Sequence, residues 1–213
     1  FCQPQLALTL ERLAARGFDD FYTGELAYDI AEDLLGPDFF LDGTEGRLRV
    51  GPTAWHGAVP RENAVPSVKI NIYPTLLTKN NGCLRVIPGS HLVSSPDLYE
   101  PLRNPNYGSG FRPFGMLPTD IPCVPLEICS GDVVVFQESL LHSSFGGNPG
   151  RHQLAINFLA NPINDEQVEE IINGYRTSKW SFRPSESYIT SDRPRIRRMV
   201  NKLVELGFTP LKY

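Results

Sequence analysis

Apolar positions recur at helical spacing early in the chain and at strand spacing after it. Across Gln3–Arg16, Leu6, Leu8, Leu10, Leu13 and Ala14 alternate with Glu11, Arg12 and Arg16, and Gly17 ends the run. Across Thr23–Leu35 the apolar set is Leu26, Ala27, Ile30, Ala31, Leu34 and Leu35. Thr23 is placed to cap the start, and Gly36-Pro37 to stop the end. Both stretches predict amphipathic helices bracing a sheet.

From residue 38 onward the rhythm changes. Short runs rich in β-branched and aromatic residues predict strands at Phe39–Leu41, Leu48–Gly51, Val68–Tyr73, Leu84–Ile87, Val124–Ile128, Asp132–Gln137 and Gln153–Leu159. Asn80-Asn81-Gly82, Pro88-Gly89, Ser130-Gly131 and Gly146–Gly150 punctuate them as turns. Many short strands with such turns predict a sandwich or jelly roll, mostly β with helical flanks. Residues 93–120 combine five prolines with Tyr99, Tyr107, Phe111 and Phe114, the composition of a functional, lid-like loop. Helical spacing returns at Asp165–Asn173 and Arg193–Leu206. The organisation expected is one domain over residues 1–213: a helical flank at 1–37, a β core at 38–160 and a helical flank at 161–213.

Composition narrows the function classes. A chain of 213 residues, 41% apolar, has enough material for one sizeable core. A net charge of −4 offers no basic surplus for a phosphate backbone, so nucleic acid is not an expected partner. The basic run Arg193, Arg195, Arg197, Arg198 and Lys202 has helical spacing and reads as a solvated helix face. The four cysteines, Cys2, Cys83, Cys123 and Cys129, form neither a CxxC pair nor a disulfide framework. Reduced thiols point to the cytoplasm. No apolar run reaches membrane-spanning length. Oligomeric state leaves no signature.

The four histidines can be judged singly. His142 follows the strand Asp132–Gln137, where a rigid element would orient it as a metal ligand or as a hydrogen-bonded structural residue. Arg151 opens the next strand, expected to pair antiparallel across the Gly146–Gly150 turn. Its guanidinium fork suits a planar carboxylate, and a surface arginine beside a turn is the blander reading. His152 should face the opposite side of that strand. His56 lies in Thr53-Ala54-Trp55-His56-Gly57-Ala58. A facial-triad iron site needs two imidazoles and a carboxylate, commonly as His-x-Asp or His-x-Glu. Here Ala58 stands in the third position and has no donor atom. His91 reads as a hydrogen-bonding residue near the site entrance rather than a ligand.

Asn81–His91, NGCLRVIPGSH, closely resembles the signature segment of the phytanoyl-CoA dioxygenase family of Fe(II)/2-oxoglutarate-dependent oxygenases. Gly131–Phe158 resembles the family's second-ligand region, and Trp55-His56 its first. The resemblance covers residues 50 to 160 in the family's order. It implies a cupin-like double-stranded β-helix (jelly roll) holding Fe(II), with 2-oxoglutarate and O2 as co-substrates. It implies His56 and His142 as iron ligands and Arg151 on the distal carboxylate of 2-oxoglutarate. Asn71, Tyr73 and Ser144 would line or tune the co-substrate pocket.

Ala58 departs from the family, and His-x-Ala is similar to the motif of iron/2-oxoglutarate halogenases. With two imidazoles and a bidentate keto-acid on iron, a chloride can take the carboxylate's position at equal charge. Aliphatic C–H chlorination, as in natural-product biosynthesis, is therefore the leading expectation. A hydroxylase is the alternative, with Glu62 as a substitute ligand or with the usual aspartate replaced in this chain. A further alternative is a cupin-like or lectin-like barrel that binds without redox chemistry. The substrate would be a small molecule, free or carrier-tethered. Arg49, Arg61, Lys69 and Arg85 would suit an anionic group on it. Trp55 and the 93–120 loop would cover the barrel mouth.

Overall fold

The computed structural model describes residues 26–49, 51–94, 97–103, 112–147, 151–177 and 183–208. The expected helix over Gln3–Arg16 lies outside them, as do Cys2, Tyr107 and Phe111. The elements are α1 (Leu26–Leu35), β1 (Phe39–Arg49), β2 (Thr53–His56), β3 (Ser67–Ile72), β4 (Leu84–Val86), α2 (Glu100–Arg103), β5 (Val124–Leu126), β6 (Val133–Phe136), β7 (His142–Ser144), β8 (Arg151–Ala160), α3 (Asp165–Thr177), α4 (Glu186–Ile189) and α5 (Pro194–Glu205). Two four-stranded antiparallel sheets form, in the orders β1-β8-β3-β6 and β2-β7-β4-β5, with helices flanking them. This is the jelly-roll class expected from the sequence.

The chain divides into two compact units. The first takes residues up to Thr44, Val65–Ile70 and Ile156 onward. In α1, Ala27, Ile30 and Ala31 are buried, as the apolar spacing predicts, and Tyr28, outside that apolar set, is buried with them. The helix stops at Gly36, whose φ of +83° is the left-handed cap that glycine adopts without strain. Phe40 of β1 packs with Ile171 and Tyr175 of α3, Leu203 of α5 and Phe208. The Tyr175 hydroxyl donates to Asp42 Oδ1 at 2.7 Å. Burial pushes the Asp42 carboxyl up, against the lowering effects of that bond and of Lys69. The basic run on α5 is more than a solvated face. Arg195 pairs with Asp29 at 3.2 Å and lies 4.9 Å from the Tyr28 ring centroid, and Arg198 donates to the Pro37 carbonyl.

The second unit takes Glu45–Ala64 and Asn71–Ala155. Trp55, Ile87, Leu102, Ile121 and Leu141 form one buried cluster, and Leu84, Val86 and Phe136 another. Strand β7 lies between β2 and β4, with Val86 opposite His142 and Arg85 opposite Ser143.

Several expectations are corrected. Phe39–Leu41 and Leu48–Gly51 are not separate strands; β1 runs unbroken through Asp42–Gly46. Its neighbour in the sheet, β8, is a long ten-residue strand, and pairing beside it overrides the local turn composition. Strand β2 carries no strand-like run in sequence yet forms. His142 does not trail the β6 strand but opens β7, a separate strand in the other sheet. For the same reason β8 does not pair back across the Gly146–Gly150 turn. The 93–120 segment, where described, is built into the fold: Leu102 and Ile121 are core, and the Trp55 indole donates to Pro118 O at 2.8 Å. Trp55 is thus a core residue rather than a cover. Phe114 is exposed, with φ +54°.

Candidate active site

The two histidines expected as ligands meet across one strand pair. In the β2–β7 register His56 stands opposite His142 and Thr53 opposite Ser144. The spacing differs on the two strands because a bulge lies between those pairs. A bulge bends its strand and re-aims side chains, and here it sets imidazole opposite imidazole. The ring centroids are 4.0 Å apart at 54°. The Phe136 ring packs edgewise on His142, 4.8 Å between centroids.

Both rings are held alike. His56 Nδ1 lies 2.8 Å from the Ala54 carbonyl, and His142 Nδ1 lies 2.8 Å from the Leu140 carbonyl. A carbonyl only accepts, so each Nδ1 is the donor, and in the neutral ring each Nε2 carries the lone pair. Two imidazoles this close, with their tautomers fixed from the backbone, suit one divalent ion with metal–nitrogen bonds of about 2 Å. His56 is exposed and His142 buried, so a solvent path reaches the pair from the His56 side.

Arg151 is buried at 6% exposure. Its Nη1 donates to the Gly82 carbonyl, and to Ser144 Oγ at 2.7 Å. Burial pulls its pKa down, with Tyr73 and Cys83 nearby acting the other way. Its Nε is buried with no hydrogen-bond partner among the described residues. Asn71 donates from Nδ2 to the Tyr73 hydroxyl at 3.2 Å, and its Oδ1 is likewise buried and unmatched. A buried guanidinium whose partners here are neutral, with unmatched polar atoms nearby, has the chemistry to receive a carboxylate. Asn71, Tyr73, Ser144 and Arg151 all belong to the second unit.

Gly82 makes this approach possible. Its φ is +100°, and a Cβ there would sit 2.6 Å from Arg151 Nη1 and 2.7 Å from Gly147 Cα. The turn before it is fixed by Asn81 Oδ1, which accepts from Thr78 N at 2.5 Å, and by Cys83 N donating to Thr78 O at 3.0 Å.

Other residues stand apart from their expected roles. Among the described residues no group of three or more His, Cys, Asp or Glu is placed to hold a metal. Glu62 is exposed on a turn. Arg85 is engaged by the Lys79 carbonyl at 2.8 Å, Lys69 lies in the first unit, and Arg61 is exposed. The Arg49 side chain lies outside the described residues. Ser143 and Ser144 are buried in β7. His152 is exposed, on the face opposite Arg151 as expected. His91 Nδ1 is buried with no hydrogen-bond partner among the described residues, so the bond expected of it is not made at that atom. Arg103 was not anticipated: it reaches four backbone carbonyls around the histidine segments. Backbone acceptors of this kind leave no mark in a sequence.

Residues 47–152, about half of the chain, match the family described as phytanoyl-CoA dioxygenase (PhyH). This core resembles the phytanoyl-CoA dioxygenase family. Solved structures with a similar fold include HygX from Streptomyces hygroscopicus with nickel and 2-oxoglutarate bound, at 17% identity and a TM-score of 0.50. The match covers 76% of this chain and 80% of HygX. AviO1 from Streptomyces viridochromogenes Tue57 matches at 23% identity and TM-score 0.45, over 68% of this chain and 61% of that one. The non-heme alpha ketoglutarate dependent epimerase SnoN from nogalamycin biosynthesis matches at 20% identity and TM-score 0.45, over 75% and 60%. The chain spans less than two thirds of AviO1 and SnoN. No curated protein sequence matches it. Among the described residues, no helix is long and apolar enough to cross a membrane.

Proposed function

We propose that the chain is an Fe(II)/2-oxoglutarate-dependent enzyme that oxidises an aliphatic C–H bond of a small molecule and delivers a halide to it. The observation carrying this reading is the bulged β2–β7 register, which sets His56 against His142 with both Nδ1 atoms tied to carbonyls. His56 and His142 are the ligands. Bound to them, Fe(II) with 2-oxoglutarate and O2 supplies an oxidant for unactivated C–H bonds. Arg151 holds the distal carboxylate of 2-oxoglutarate, with Ser144 keeping the guanidinium turned inward. Asn71 Oδ1 and the Tyr73 hydroxyl line the same pocket and orient the bound keto-acid.

The halide assignment rests on Ala58. Its methyl group leaves a coordination position without a protein donor, and Glu62, exposed on its turn, is not gathered with the histidines. A chloride there preserves the charge a carboxylate would bring. The reaction balances as C–H, chloride, 2-oxoglutarate, O2 and a proton giving C–Cl, succinate, CO2 and water.

The test needs no known substrate. Under anaerobic conditions, Fe(II) and 2-oxoglutarate should give a charge-transfer absorption that chloride shifts. Ala58→Asp should abolish the chloride shift and keep the band. Admitting O2 should release succinate. A band indifferent to chloride in the wild type turns the assignment to hydroxylation. No band and no iron-dependent succinate overturns the oxygenase reading and leaves a binding protein.

A further inference from the structure

The segment that follows His56 runs backbone against backbone along the segment that precedes His142. Ala58 N donates to Glu138 O at 3.1 Å. A Cβ on Gly57 would meet Leu140 O at 3.0 Å and Ser139 O at 3.2 Å, so only glycine fits there without displacing them. Leu140 O is the acceptor that fixes the His142 ring. The two histidine segments are thus pressed together at the point where each ring is oriented.

Arg103, from α2 in the 93–120 region, closes this arrangement. Its Nη1 donates to Gly57 O at 3.0 Å and to Ala58 O, and its Nη2 to Ser90 O at 2.8 Å and Ser139 O at 3.3 Å. Ser90 in turn accepts from Leu141 N through Oγ at 2.8 Å, one residue before His142. One guanidinium therefore grips the backbone beyond His56, the turn before His142 and the loop that anchors Leu141. Burial lowers the Arg103 pKa. A planar fork with several fixed donors can serve four carbonyls at once; a lysine ammonium cannot match that geometry.

We propose that Arg103 is a positioning residue of the metal site, fixing the separation and tilt of His56 and His142 and making α2 part of the site's frame. This rests on the two histidines being the metal ligands. The groups that orient metal ligands typically contribute about ten- to a hundredfold to metal affinity.

The test uses Co(II) as the probe, titrated into the whole chain and followed by its visible absorption, with thermal unfolding in parallel. Arg103→Met should weaken Co(II) binding by about tenfold or more and alter the band pattern. Arg103→Lys should restore stability more than it restores the spectrum. If Arg103→Met fails to fold, the Arg103→Lys spectrum alone decides. Wild-type affinity and bands in both Arg103 variants, with only the melting temperature lowered, would reduce Arg103 to a structural brace and overturn the proposal. His56→Ala and His142→Ala keeping full Co(II) affinity would instead overturn the ligand assignment beneath it.

Discussion

At the scale of single residues, the site depends on atoms that side-chain chemistry does not advertise. His56, His142 and Arg151 stand out in the sequence because imidazole and guanidinium are scarce, functional groups. The Ala54, Leu140 and Gly82 carbonyls that hold them are backbone, and Gly82 is 69 residues from Arg151. What the sequence does show at Gly82 is an Asn-Gly turn; that the same glycine must also yield space to a guanidinium is a tertiary fact. Gly82→Ala tests it. The positive φ alone costs about 1–3 kcal/mol for a non-glycine residue. The added Cβ would also collide with Arg151 Nη1 and with backbone at Gly147. The guanidinium can move and the backbone cannot. The variant should unfold at lower temperature and show a raised KM for 2-oxoglutarate, with kcat changed less. A KM equal to wild type would mean that Arg151 does not hold the keto-acid.

At the scale of elements, legibility followed the source of each element's stability. Helices α1, α3 and α5 were readable because their amphipathic spacing is also their packing face. Strands β3, β4, β6 and β8 were readable because they carry the apolar runs that build the core. Strands β2 and β7, which bear the two histidines, were not: Thr-Ala-Trp-His and His-Ser-Ser have weak strand character, and pairing with their neighbours makes them strands. The α3–β1 contact yields a prediction with a definite sign. Asp42 has its pKa raised by burial in the folded state, so its ionisation opposes folding. Relative to an uncharged residue, folding is hindered above the folded pKa, and the penalty disappears as pH falls below the unfolded value of about 3.9. Asp42→Asn keeps an acceptor for the Tyr175 hydroxyl and removes the charge. It should raise the melting temperature at pH 7, with the gain vanishing toward pH 3. A lower melting temperature at pH 7 would show that the charge–Lys69 attraction outweighs desolvation.

At the scale of the whole molecule, the proposed metal ligands, the carboxylate receptor and Arg103 all fall in the second unit, while β1, β3 and β8 contribute residues to both. The histidines come from two strands of one sheet and are separated by most of that unit's sequence, so the site exists only when the unit is folded. An ion held by both rings then binds the native state in preference to the unfolded chain. Stabilisation by such a ligand follows mass action, about 2.7 kcal/mol at a hundred times its dissociation constant. For a chain of this size each kcal/mol moves the midpoint by roughly 2–4 °C. Anaerobic Fe(II) at that excess should therefore raise the melting temperature by about 5–10 °C. 2-Oxoglutarate added with the metal should raise it further if Arg151 and the ion engage the same molecule. His142→Ala should lose the metal increment, while Arg151→Gln should lose only the 2-oxoglutarate increment. If 2-oxoglutarate stabilised the His142→Ala variant as strongly as wild type, the keto-acid would be bound without the metal, and the two halves of the site would not be acting on one ligand.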